Sequence, residues 1–108
     1  HAWSFLTYGL PTVAIRQKKA IESAQKIASY LQNHPKIEFV NYPGLPSYKY
    51  YELAQKQMTN FDGEFAPGHL IYFVLKGADF EQSREEGRNF MNHIADNAYT
   101  ITLAVSLG

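Results

Sequence analysis

The sequence predicts a small α/β domain in which helices cover a small sheet, an α+β sandwich whose strand directions the sequence does not fix. Two long stretches repeat apolar residues every three or four positions, which predicts amphipathic helices. Shorter runs rich in β-branched and aromatic residues, bounded by Gly and Pro, predict strands. The chain has 108 residues, 45% of them hydrophobic, so we expect residues 1–108 to form one domain with its own core.

The first long helix is predicted at Thr12–Leu31. Pro11 suits the first turn of a helix, and Asn33-His34-Pro35 ends it because the residue before proline is pushed out of the α region. Glu22 and Lys26 stand four apart in the order that favours an ion pair. The predicted inner face has its apolar residues at helical spacing: Val13, Ala20, Ala24, Ile27, Ala28 and Leu31.

The rest of the chain alternates strand and helix. Strands are predicted at Ile37–Tyr42 and His69–Lys76, and the second of these is apolar on both faces, as in a central or covered strand. Helices are predicted at Tyr50–Met58 and Glu81–Ile94, and a last strand at Tyr99–Val105. The expected inward residues of the two helices are Leu53, Ala54 and Met58, then Phe90, Met91 and Ile94.

Composition excludes several classes of function. Ten basic and ten acidic residues give a net charge of zero, which argues against nucleic-acid binding. The absence of cysteine excludes disulfides and thiolate chemistry. No apolar stretch approaches the roughly 20 residues needed to cross a bilayer. We therefore expect a cytoplasmic protein without a membrane or nucleic-acid partner.

Metal and phosphate sites are not predicted. The histidines, His1, His34, His69 and His93, do not pair at metal-ligand spacing. Asp62 and Glu64 flank Gly63 but lack the other ligands of a calcium loop. The glycines are too scattered to build a phosphate loop. Tyr72 and Phe73 alternate faces on a strand, so core packing is preferred to a base-stacking platform.

Ser106 is the sharpest candidate for a ligand contact. A serine at the end of an apolar strand, close to a glycine, can direct its hydroxyl and backbone N–H at a small anion. The commoner role for such a serine is a local backbone hydrogen bond. The sequence places no histidine or lysine to activate it, so a nucleophilic role is disfavoured.

Both ends of the chain suggest a piece of a longer protein. The closing run from Thr102 to Gly108 resembles a strand that stops at the start of a turn. The first residues, His1-Ala2-Trp3-Ser4, include no initiator methionine.

Four segments, in order, carry a resemblance to a known family. They are Val40-Asn41-Tyr42-Pro43-Gly44-Leu45-Pro46-Ser47, then Glu52-Leu53-Ala54 through Gln57-Met58, then Phe73-Val74-Leu75-Lys76-Gly77, and last Ala104-Val105-Ser106-Leu107-Gly108. Nearly the whole chain resembles the C-terminal small domain of the Cys/Met metabolism pyridoxal-phosphate enzymes, which include cystathionine γ-synthase, cystathionine γ-lyase and methionine γ-lyase.

The resemblance implies a fold-type-I, usually tetrameric enzyme that acts on sulfur amino acids by γ- or β-elimination or replacement. Its pyridoxal 5'-phosphate would be held by the large domain, upstream of His1, and a substrate-binding arginine would follow Gly108. The fragment alone would be inactive. Ser106 matches the serine that contacts the substrate α-carboxylate. Val105 and Leu107 flank it, and valine at the first of these positions is typical of methionine γ-lyase-like members.

Two alternatives stay open from the sequence. One is a non-enzymatic α/β interaction or regulatory module that binds a small amino acid or a partner strand. The other is the sulfhydrylase branch of the same family, although the strand of that branch usually lacks the Val-Ser-Leu-Gly run.

Overall fold

The computed structural model describes residues 1–103. Its elements are α1 (Ala2–Gly9), a 3-10 turn (Leu10–Thr12), α2 (Val13–Gln32), β1 (Ile37–Asn41), α3 (Tyr51–Gln57), β2 (Tyr72–Leu75) and α4 (Phe80–Asn97). The predicted order of helix, strand, helix, strand, helix is confirmed from α2 to α4. The α/β class is confirmed as well, with a small two-stranded sheet and helices.

The sheet pairs β1 with β2 in antiparallel register. Val40 lies opposite Phe73, and Asn41 lies opposite Tyr72. Opposed residues share a face, and both long helices pack on the face of the first pair. Val40 packs against the buried cluster that includes two α2 alanines, and the Phe73 ring meets the Phe90 ring of α4 at 6.0 Å. The domain is thus a two-layer structure with one open sheet face.

The open face corrects one prediction about β2. We expected that strand to be covered on both faces, yet Tyr72 is 60% exposed, and its ring lies 6.0 Å from the half-exposed Phe39 ring. Within residues 1–103, β2 pairs with β1 alone. The strand predicted at His69–Lys76 is thus shortened to the four residues Tyr72–Leu75, and Leu70 before it is exposed.

The buried face of α2 is narrower than the apolar face that its sequence pattern predicts. Ala24 and Ala28 are buried, whereas Val13 is 41% and Ile27 is 52% exposed. At 1.5 Å per residue, Val13 lies about 16 Å along the helix from Ala24, too far to pack on a two-stranded sheet. The predicted pair of Glu22 with Lys26 forms at 3.4 Å. Lys19 and then Lys26 lower the pKa of Glu22.

The C-terminal elements depart from prediction at their ends. Helix α4 is longer than predicted, and it has no fully buried residue. Its expected core residues Phe90 and Met91 stay 38% and 45% exposed. The expected strand Tyr99–Val105 is absent as far as Leu103, where the backbone pairs with neither β1 nor β2. A strand needs a partner edge to satisfy its N–H and C=O groups. The rest of the predicted strand lies outside the described residues.

The beginning of α4 is capped by its own side chains. Asp79 Oδ1 accepts a hydrogen bond from the Gln82 N–H at 2.8 Å, and Gln82 Oε1 accepts from the Ala78 N–H at 2.6 Å. The first bond satisfies one of the N–H groups that a helix start leaves without partners, and the second ties the residue before the cap to the first turn. Together they fix where the chain turns from β2 into α4.

Asp79→Ala is expected to lower the free energy of unfolding by about 1 kcal/mol, because the Gln82 N–H loses its acceptor. Urea denaturation of the purified protein measures the change. Asp79→Asn is the matched control, since its amide oxygen can still cap the helix. Equal losses in the two variants would show that the cap is not the source of the effect.

Candidate functional site

The predicted substrate contacts Val105, Ser106 and Leu107 lie outside the described residues. The structure follows the chain towards them as far as Leu103. Helix α4 ends at Asn97, whose side-chain amide donates to the His93 carbonyl at 2.9 Å. Eight residues, 98 to 105, therefore separate Ser106 from the end of α4.

The Tyr-Pro-Gly-Leu segment that carries the family resemblance forms the centre of the core. Tyr42 is 0% exposed and Leu45 is 3% exposed, and both pack on the α2 alanines. The Tyr42 hydroxyl donates to the Gly68 carbonyl at 2.8 Å. Gly68 has φ +78°, which a residue with a side chain rarely adopts. This motif therefore joins β1, α2 and the loop before β2, and its role is structural.

Gly44 allows the same segment to approach α2 closely. Gln25 Nε2 donates to the Gly44 carbonyl at 2.8 Å. A Cβ built on Gly44 would overlap the Gln25 side-chain oxygen and the Tyr42 ring. Only glycine fits between these two side chains.

Tyr42→Phe is expected to lower the free energy of unfolding by about 1–2 kcal/mol at neutral pH, because the Gly68 carbonyl loses its donor. Burial raises the pKa of Tyr42 in the folded chain. Its phenol therefore stabilises the fold fully below the unfolded pKa of about 10, and that stabilisation is lost as the pH rises through the higher folded pKa.

The difference between the Tyr42→Phe variant and the parent should consequently shrink above pH about 10. Urea denaturation at several pH values between neutral and strongly alkaline measures it. A difference that stays constant across this range would contradict the buried, hydrogen-bonded phenol as its cause.

The third resemblance segment, Phe73 to Gly77, ends at another close approach. A Cβ on Gly77 would overlap the backbone N of Ser83 and come within 2.9 Å of the Gln82 carbonyl carbon. Gly77 thus lets the chain leave β2 and pass directly under the first turn of α4. Like Tyr42 and Gly44, Gly77 therefore has a structural role.

Metal-ligating side chains do not converge in the described part of the chain. No group of three His, Asp or Glu residues there could hold a metal ion. The Asp62-Gly63-Glu64 loop is organised by Asn60, whose side-chain oxygen accepts from the N–H groups of Asp62 and Glu64, both at 2.9 Å. These carboxylates serve as solvated loop charges.

A groove of about 630 Å³ lies between the N-terminal half of α2 and the loop before β2. Ile15 and Ile21 line one wall, and Phe61 and Phe65 line the other. A second groove of about 440 Å³ separates β2 from α4. Sequence reasoning missed both, because each joins residues distant in the chain, and no local pattern reports such a pairing.

Pyridoxal phosphate requires a lysine for its Schiff base, N–H donors for its phosphate and a carboxylate beside its ring nitrogen. Every lysine from Lys18 to Lys76 lies at an exposed position. The start of α4 is filled by its own caps, Asp79 and Gln82. The described residues do not fit the cofactor, so none of them is assigned a step in its chemistry. None of the helices described here is both long and apolar enough to span a bilayer.

Comparison with known proteins identifies relatives along the whole chain. The profile described as Cys/Met metabolism PLP-dependent enzyme matches residues 1–108. The L-methionine gamma-lyase of Pseudomonas deceptionensis is 41% identical over 108 residues, 100% of this chain and 23% of that protein. The L-methionine gamma-lyase of Porphyromonas gingivalis is 40% identical over 103 residues, 95% of this chain and 22% of that protein.

The similarity extends to a second activity. The cystathionine gamma-lyase of Sus scrofa is 36% identical over 100 residues, 93% of this chain and 21% of that protein. The chain thus spans about a fifth to a quarter of the length of the curated relatives it matches. The match of the family profile to every residue leads to one conclusion: the chain belongs to the Cys/Met metabolism PLP-dependent enzyme family.

Proposed function

We propose that this chain is the C-terminal small domain of a pyridoxal-phosphate-dependent enzyme that breaks or replaces carbon–sulfur bonds of sulfur amino acids. The observation that carries the proposal is the identity of about 40% to L-methionine gamma-lyases over nearly the whole chain. The cofactor supplies an electron sink when bound, and it is held outside residues 1–108. The fragment alone has no activity.

The contribution of this chain is to recognise substrate. The Ser106 hydroxyl donates a hydrogen bond to the α-carboxylate of the amino acid, the role that the family resemblance implies for this serine. Hydrogen bonds to a charged group are worth about 1.5–3 kcal/mol, enough to orient the substrate in its site. Leu107 and Val105 flank this contact.

Val105 supports methionine as the preferred substrate. An apolar side chain favours a thioether tail, because a second ammonium group buried beside it would lose its hydration without gaining a partner. Elimination from L-methionine, with one water consumed, would give methanethiol, ammonia and 2-oxobutanoate. We also propose a cytoplasmic homotetramer, in line with the family resemblance.

Cofactor binding by the full-length protein tests the class of function. We expect the purified protein to show the visible absorbance of bound pyridoxal phosphate and to lose it on borohydride reduction, with one modified lysine located by mass spectrometry. A protein that binds no pyridoxal phosphate would refute the proposal. Tight binding of an amino acid by such a protein would instead favour the regulatory module.

A further inference from the structure

Helix α1 and the first residue of the turn after it carry large apolar side chains on two sides, and Ser4 and Thr7 lie between them. Trp3, Leu6 and Leu10 follow one another at helical spacing along one side, while Phe5 and Tyr8 lie on the other. Trp3 is 78%, Phe5 79% and Tyr8 83% exposed, and no residue of α1 is buried. A helix with large apolar side chains on more than one side and no charged residue is normally enclosed by protein. We call these five residues the α1 surface.

Hydrogen bonds nevertheless hold the turn that connects α1 to α2. Arg16 reaches back along the chain, where its Nη2 donates to the Gly9 carbonyl and its Nε to Thr12 Oγ1, each at 3.0 Å. The Thr12 hydroxyl donates to the same Gly9 carbonyl at 3.2 Å. Three hydrogen bonds therefore fix the direction of a helix that buries nothing itself. Such a helix of eight residues is too short to be stable alone in water.

The chemistry of α1 restricts what can cover it. Residues 2 to 15 carry no charged side chain, so the segment offers anionic lipid or nucleic acid no cation to bind. A reversible protein partner would leave an apolar patch of this kind exposed whenever it dissociated. The covering group is thus expected to be permanent and apolar.

We infer that the α1 surface is the docking site for the part of the same polypeptide that lies outside residues 1–108. This inference rests on the proposed function, in which the chain is one domain of a longer enzyme. The relative from Pseudomonas deceptionensis matches α1 together with the rest of the chain, yet the match covers only 23% of its length. A segment tethered to α1 acts at high effective concentration and stays bound.

Hydroxyl-radical footprinting of the full-length protein tests the inference without altering it. The probe compares the oxidation rates of Trp3, Phe5 and Tyr8 in the native and the urea-unfolded protein. We expect native rates to be lower by about tenfold, because enclosed side chains lose contact with solvent. Tyr30, 67% exposed on α2, is the control and should stay reactive. Native α1 rates close to the unfolded ones would overturn the inference, as would equal protection of Tyr30.

A pair of variants provides a second measurement in the same protein. Leu6 and Leu53 are 50% and 49% exposed, but only Leu6 belongs to the α1 surface. Leu6→Glu should lower the Tm of the full-length protein by several degrees more than Leu53→Glu. Equal shifts would contradict the inference.

Two further outcomes show whether the docking inference or the proposed function is wrong. Protection of α1 that disappears when the protein is diluted would assign the surface to a second copy and overturn our assignment. The visible spectrum of the same sample separates the two proposals. Bound pyridoxal phosphate together with a reactive α1 would refute this inference alone, whereas absent cofactor would refute the proposed function.

Discussion

Replacing Ser106 by alanine in the full-length enzyme is expected to raise the KM for L-methionine by about 10- to 100-fold. The expectation follows from the proposed hydrogen bond between the Ser106 hydroxyl and the substrate α-carboxylate, since a lost bond to a charged group costs about 1.5–3 kcal/mol. The effect should fall on KM more than on kcat, because the carboxylate keeps its charge throughout the reaction. Steady-state kinetics with L-methionine separates the two constants.

Two variants control this result. Ser106→Thr retains the hydroxyl and should recover part of the affinity. Thr100→Ala removes a hydroxyl of the same segment outside the proposed contact and should leave KM unchanged. A Ser106→Ala enzyme with the parental KM would contradict the carboxylate contact, and a loss confined to kcat would point to a different role.

The second large effect is expected at the centre of the core. Gly44→Ala should lower the free energy of unfolding by about 2–3 kcal/mol, because the new methyl group overlaps Gln25 and the Tyr42 ring. Moving either neighbour breaks a 2.8 Å hydrogen bond, to the Gly44 carbonyl or to the Gly68 carbonyl. Urea denaturation of the full-length protein measures the loss.

Gly87 offers the matched control. It lies inside α4, and a Cβ there would meet nothing within 4 Å. Gly87→Ala should therefore raise the free energy of unfolding by about 0.5–1 kcal/mol, since alanine favours the helix. If both alanine variants changed stability in the same direction, the steric explanation for Gly44 would be wrong.

The sequence predicts the local elements well because their causes are local. The spacing of Ala24 and Ala28 and the stop at Pro35 define α2, and β-branched and aromatic residues define β1 and β2. The exposed Ile27 shows the limit of such reasoning. Periodicity identifies which residues share a helix face, but how much of that face is covered depends on the width of the sheet beneath it.

Contacts between residues far apart in the sequence could not be predicted, because no local pattern reports them. Nothing near Tyr42 in the sequence indicates that its hydroxyl reaches Gly68, 26 residues away, or that Gln25 meets Gly44. The helix at Ala2–Gly9 was not predicted either, because its apolar residues follow no one-sided pattern. One signal was available there, the uncharged run from Ala2 to Ile15.

The role of the candidate site could be predicted only by resemblance. Ser106 was singled out as a ligand contact by its place at the end of an apolar strand, although a local backbone contact is the commoner role there. The closing Val-Ser-Leu-Gly run added the contact with the substrate α-carboxylate. Val105 and Leu107 followed from the same match. Their role stays a prediction, since the structure describes the chain as far as Leu103.

The most direct test of the central claim is a product assay on the full-length protein with pyridoxal phosphate bound. Incubated with L-methionine, it is expected to release methanethiol, ammonia and 2-oxobutanoate in equal amounts, and the rate should fall when Ser106 is replaced by alanine. A cofactor-loaded protein that releases none of these products from L-methionine, and cleaves no carbon–sulfur bond of cystathionine, would contradict the account.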